Sequence, residues 1–231
     1  MFNKVGSASL VDIIYNEIKK KIIENELKPD ERLDIDFLSE SLGVSRTPVI
    51  NALKALEKDG YVIINPRSSS CVRGLTKEET EAVFDFRAAL ESTVVRKVTG
   101  KLSAERLMEF RKVFIEFLNS MESFISPEEL IRGFFDIETQ LHEYMIKACP
   151  SIISGEIMNL MDLTKRIRHL HMLYKLNNMN ASAFNDEVGL HVRLIDSLVA
   201  EDIPVSVKLI EKDILDTKDE IMKCFDIING I

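Results

Sequence analysis

The chain has 231 residues, 45% of them hydrophobic and 29% charged, a balance that excludes a disordered protein and suits two domains with separate cores. Its net charge of −8 is unevenly spread: residues 1–75 carry eleven basic and eleven acidic side chains, so the whole acidic excess falls on the remainder. That argues against the C-terminal part as a phosphate-binding surface and leaves the first part able to present a local basic face.

The opening MFNKVGSASLVDIIYNEIKKK lacks the apolar core and cleavage site of a secretory signal. No later run approaches the roughly 18 apolar residues of a membrane span, so a cytoplasmic protein with no membrane partner is expected. Cys71, Cys149 and Cys224 form no CxxC pair, which predicts free thiols rather than a disulfide or a cysteine-zinc site.

Leu10, Ile13, Ile14, Ile18, Ile22 and Ile23 recur near helical spacing and predict an amphipathic helix from Leu10 to about Glu26, stopped by Pro29. A short helix over Ile35 to Ser41 leads to Gly43, whose missing Cβ suits a tight turn. Ser45 stands where it would cap a third helix, with Pro48 in the first turn and Val49, Leu53 and Leu56 as the buried stripe, ending at Gly60. Tyr61 to Ile64 and Cys71 to Arg73 read as two short strands around a turn at Asn65, Pro66 and Ser68 to Ser70. Three helices and a hairpin describe a winged helix.

Thr76 to Glu79 has capping-box spacing, placing a boundary near Gly74 and two domains at 1–74 and 75–231. Breaks at Gly100 with Ser103, Ser126-Pro127, Pro150-Ser151, Asn177 to Asn180 and Pro204 divide the rest into about six helices with no strand signal. The fold class is therefore mainly α, a winged helix-turn-helix followed by an all-α bundle.

The segment LSESLGVSRTPVINALKALEKDGYV, residues 38–62, closely resembles the DNA-binding segment of the GntR family of regulators. Gly43 through Val49 fall consecutively in its pattern, with Ala52-Leu53, Leu56 and Gly60 in register. The resemblance implies a recognition helix in the major groove and a homodimer reading a short palindromic operator in double-stranded DNA. Arg46 is the candidate for a guanine contact, Thr47 and Asn51 for bases or phosphates, and Ser45, Lys54, Lys58 and Arg67 for the backbone. Three positions depart from the family: Ile50 stands for a recognition-helix arginine, Asp36 for a frequently basic residue, and Ser69-Ser70 for the wing glycine. Each removes or opposes a DNA contact, which predicts weaker or differently specific binding with a shallow salt dependence.

The segment FDFRAALESTVVRKV resembles the opening helix of the FCD effector domain, with Arg87 and Glu91 in its R-x-x-L-E pattern. That resemblance implies a divalent metal held by residues on three helices and a small organic acid completing its coordination. The matching positions are Glu138, His142, His191 and Asp213, where Glu138 is longer than the usual Asp and Asp213 replaces a usual imidazole. Glu138 and His142 lie four apart, on one helical face. Two nitrogens and two carboxylates suit Zn, Ni, Mn or Fe; without a cation, such a buried group needs near-complete hydrogen bonding. Arg87, Arg132 and Arg166 are candidates to meet the effector's charge, although Arg87 can equally pair with Glu91 one turn on. His169 and His171 point to different faces and read as surface or structural residues.

Catalysis is not expected. A carboxylate-bridged di-iron enzyme needs paired Glu-x-x-His motifs, and the chain has no nucleophile-base pair, phosphate loop or glycine-rich fingerprint that would call for an organic cofactor. The leading expectation is a ligand-controlled transcription regulator. The alternative is a sensor that has lost sequence-specific DNA binding and acts through protein partners.

Overall fold

Ile14, Ile18 and Ile22 stand four residues apart and are all buried, which sets the inner face of the first helix, α1 (Leu10–Ile23), in the computed structural model. The structure describes residues 9–65, 70–124, 126–179 and 183–229. These belong to two compact units, Met1–Thr76 and Lys77–Ile231.

In the first unit, Ser9 and Asp12 close α1 with a reciprocal capping box. The helix ends before Glu26 because Asn25 takes a left-handed conformation, φ 59°, and turns the chain ahead of Pro29. Helix α2 (Ile35–Leu42) starts from Asp34, whose carboxylate accepts the Asp36 and Phe37 amides at 2.8 and 3.1 Å. It stops at Gly43, φ 64° and ψ 35°, a conformation any Cβ would strain. Helix α3 (Arg46–Lys58) buries Val49, Ala52, Leu53 and Leu56 and packs on α1. Ser45 occupies its N-cap as expected, but the side chain makes no capping hydrogen bond.

The hairpin differs from expectation by gaining a strand. Strands β1 (Arg32–Leu33), β2 (Val62–Ile63) and β3 (Ser70–Val72) form an antiparallel sheet in the order β1-β3-β2. Ser70 was expected in the turn; it opens β3 instead, buried and paired with Leu33, because β1 extends the ladder at that end. Pro66, Arg67, Ser68 and Ser69 lie outside the described residues.

The second unit is helical in every described element: α4 (Lys77–Val98), α5 (Ala104–Ser120), α6 (Pro127–Lys147), α7 (Ser151–Met179), α8 (Ala183–Val199) and α9 (Ile203–Asn229), with one turn of 3-10 helix at Met121–Ser123. Ser103 and Ser126 cap α5 and α6 by accepting the Arg106 and Glu129 amides, both at 3.2 Å. Helix α4 packs on α9 and α7, α5 on α8 and α6, and α9 also on α8 and α7. Phe84, Phe114, Phe134 and Phe184 fill the core. Through that core runs a seam of buried polar residues, and charges are tolerated there only when each finds a partner. No described helix is long and apolar enough to cross a membrane.

Candidate functional site

Two regions carry the residues singled out from the sequence. On α3, Thr47, Asn51, Lys54 and Lys58 recur on the face opposite the buried Val49 and Leu53, and all four are exposed, as are Ser45 and Arg46. Because Ser45 leaves the first turn uncapped, its amides remain available to solvent or phosphate. Asp36 does more than add negative charge: its carboxylate lies 3.1 Å from Arg46 Nε, occupying the side chain expected to read guanine. Ile50 is half-buried. Arg67 and Ser69 lie outside the described residues.

In the helical unit, Glu138 and His142 on α6, His191 on α8 and Asp213 on α9 converge. One ligand-capable atom from each falls within 4.8 Å of all the others, and all four residues are buried. His142 Nε2 lies 3.8 Å from Glu138 and 3.6 Å from Asp213, while His191 Nε2 lies 3.7 Å from Asp213. These contacts are too long for hydrogen bonds.

The outer ring nitrogens explain this aim. His191 Nδ1 donates to the Glu187 carbonyl at 2.8 Å, since that oxygen can only accept, and His142 Nδ1 contacts the Glu91 carboxylate at 2.6 Å. In each neutral ring this leaves the Nε2 lone pair facing the centre. Phe114 stacks on the His191 ring at 5.0 Å and 23°, and Phe134 meets it edge-on at 5.9 Å and 86°. Glu138 Oε2, His142 Nε2 and His191 Nε2 are all buried without a hydrogen-bond partner. Three orphaned acceptors beside a carboxylate fit a divalent cation.

Electrostatics points the same way. Burial alone would raise the Glu91 carboxyl, but Arg87 and His142 outweigh it and hold it at about 2. Burial opposes a charged His142, yet Glu91, Glu138 and Asp213 outweigh it and hold the imidazole above its ordinary value. The carboxylates that draw a proton to this centre would draw a metal ion too.

The arginines are arranged differently from their expected effector role. Arg87 is buried against Glu91 at 2.9 Å and Thr164 at 2.9 Å, so it braces the carboxylate that orients His142. Arg132 is exposed and Arg166 half-buried, and neither lines the cavities beside the centre. Arg168, not singled out from the sequence, is buried, donates to Glu138 and lines a cavity of about 10 Å³ together with Glu138, His191 and Asp213. His171 is also buried there, 3.5 Å from Glu220, and burial followed by Lys175 pushes its pKa down to about 4. A second cavity of about 360 Å³ shares Glu187, Asp213 and Thr217 with the first and adds both basic and acidic side chains, Lys175, Arg193 and Lys212 with Asp186, Asp216 and Glu220. Thr164, Arg168, His171 and Lys175 recur at helical spacing along α7 and form this wall, a spacing present in the sequence but masked by polar residues on the other faces of the helix.

Comparison with known proteins matches residues 10–72 to the bacterial regulatory proteins of the gntR family and residues 82–214 to the FCD domain. A Bacillus subtilis protein described as an uncharacterized HTH-type transcriptional regulator, YdhC, is 30% identical over 132 residues, spanning 57% of each chain. The gluconate operon transcriptional repressor of the same organism is 22% identical over 206 residues, 89% of this chain and 82% of that one. Among solved structures, Escherichia coli McbR/YncC shares the fold with a TM-score of 0.77 at 18% identity, covering 95% of this chain and 100% of the other. A regulator from Rhodococcus sp. RHA1 gives 0.73 at 16% identity, covering 93% and 98%.

Proposed function

Since the chain belongs to the GntR family of transcription regulators, with an FCD effector domain and relatives that are regulators rather than enzymes, we propose that it is a metal-assisted sensor of a small organic acid that controls operator binding. Residues 1–74 would act as the DNA-binding domain of a homodimer on a short palindrome, and residues 75–231 as the sensor. The observation that carries this reading is the convergence of two unpartnered imidazole nitrogens and a carboxylate oxygen with Asp213 inside the bundle. Glu138, His142, His191 and Asp213 would hold the ion, with Zn, Ni, Mn or Fe as candidates. When bound, the metal supplies a Lewis-acidic site for a carboxylate; Glu91 and the Glu187 carbonyl fix the two rings toward it.

On the DNA side, Arg46, Thr47 and Asn51 would face base edges, and Ser45, Lys54, Lys58 and Arg67 the phosphates. The acid controls operator affinity only if it binds one arrangement of the dimer better than another. The test is selection of bound sequences from a random duplex library, then affinity on the winner with zinc and with panels of small acids. A recovered palindrome whose affinity shifts with an acid is the expected result. Recovery without any shift would overturn the sensor role. The second reading is a sensor acting through protein partners, raised by Asp36 engaging the side chain expected to read guanine, and absence of enrichment by the folded protein would move it ahead of the first.

A further inference from the structure

Counted with both imidazoles neutral, as metal ligation requires, the centre is one positive charge short. Glu91 has Arg87 and Glu138 has Arg168, but Asp213 has only the two imidazoles within salt-bridge distance among the described residues; Lys175, shared between Glu187 at 2.9 Å and Glu220 at 2.8 Å, lies outside this count. A divalent ion would turn that deficit into an excess of one, in surroundings where unbalanced charge is costly. A single added anion restores neutrality, and the arginine nearest the metal position decides where that anion sits.

Arg87 and Arg168 differ in how firmly they are held. Arg87 is fixed from two sides, by Glu91 and Thr164, and lines neither cavity beside the centre. Arg168 makes its one hydrogen bond among the described residues to Glu138, lies over the Phe135 ring at 4.8 Å and lines the inner cavity. That cavity, about 10 Å³, holds no more than a water, so no organic acid fits beside the metal position while Arg168 stays on Glu138. The adjoining cavity of about 360 Å³ has the room.

The geometry points to Arg168 as an exchangeable counter-cation, which neutralises Glu138 in the metal-free protein and passes its guanidinium to an incoming carboxylate once a divalent ion claims Glu138. Metal and anion then bind cooperatively, each removing what holds the other out. The flat guanidinium fork suits a carboxylate, and Phe135 gives it a surface to pivot on. This inference rests on the metal-and-acid reading above and adds the residue and the order of events.

The test is titration of cobalt(II), followed by its visible absorption, into the full-length protein stripped of metal, in chloride buffer and again with acetate. The wild type is expected to bind cobalt about tenfold more tightly with acetate present, within the usual range of couplings between sites. Arg168→Met is expected to bind cobalt in chloride at least as tightly as the wild type, because a competitor for Glu138 is gone, and to lose most of the acetate gain. Weaker cobalt binding by this variant, or an undiminished acetate gain, would make Arg168 a fixed support and overturn the exchange. Where Arg168→Met does not fold, Arg168→Lys keeps the charge without the fork and is expected to show a reduced acetate gain; an unchanged gain overturns the proposal equally. A wild type that binds no cobalt removes the metal centre itself, and the exchange with it.

Discussion

Arg46 and Asp36 meet at 3.1 Å with 64% and 71% of their side chains exposed, whereas Arg87 and Glu91 meet at 2.9 Å with 2% of each exposed. The same ion pair does different work in the two places. On the recognition surface, water screens both partners and either can leave for DNA at little cost. Inside the bundle each partner supplies the other's opposite charge where water cannot, so the pair holds the geometry of what is attached to it, Thr164 on one side and His142 on the other.

The sharpest way to break this contrast is Arg87→Met, which strands Glu91 in the core. A loss of about 3–5 kcal/mol is expected in chemical denaturation of the helical unit; a loss below about 1 kcal/mol would mean the buried pair behaves like the surface one. Acid titration of the stripped protein tests the same cluster without a mutation. Glu91 is depressed when folded, so its contribution is present above about pH 4.5 and is lost as pH falls toward about 2. His142 is raised when folded, so its contribution is complete below about pH 6.5 and is lost as pH climbs through the folded value. Denaturation midpoints across the range should therefore peak between about 4.5 and 6.5 for this cluster.

Glu91→Gln is a milder intervention, keeping the shape and removing the charge behind His142. Metal affinity should fall about 10- to 100-fold, measured by competition with a chelator. The smallest effect belongs to the exposed pair. Asp36→Asn should change stability by less than about 1 kcal/mol, yet tighten operator binding and steepen its salt dependence by about one phosphate contact as Arg46 is released. An unchanged salt slope would show that Asp36 does not withhold Arg46 from DNA.

Much of the fold was legible because helices advertise themselves through one repeated spacing. Ile14, Ile18 and Ile22 mark α1, Gly43 marks the turn, and Ser103 and Ser126 mark helix starts that the structure reproduces. Strand β1 escaped notice because two residues carry no period, and it forms only when β3 returns beside it. At the candidate site, Glu138 and His142 are linked by helical spacing, whereas His191 and Asp213 were reachable only through family resemblance. Arg168 was missed for a related reason: α7 is polar enough all round that its Thr164, Arg168, His171 and Lys175 stripe does not stand out until packing shows which face is buried. The Asp36–Arg46 contact joins two helices across a turn, a distance no single periodicity measures.

The stacking of Phe114 and Phe134 on His191 bears on time as well as aim. The ring cannot rotate its nitrogen away from the centre unless α5 and α8 part locally, and the inner cavity gives an ion no easy way past Arg168. An ion captured there would exchange at the pace of local opening in the bundle rather than of water around a free metal. On the proposed sensor reading, its occupancy would record metal supply over long intervals and ignore brief swings, and the occupant of the larger cavity would be the quantity that varies from minute to minute.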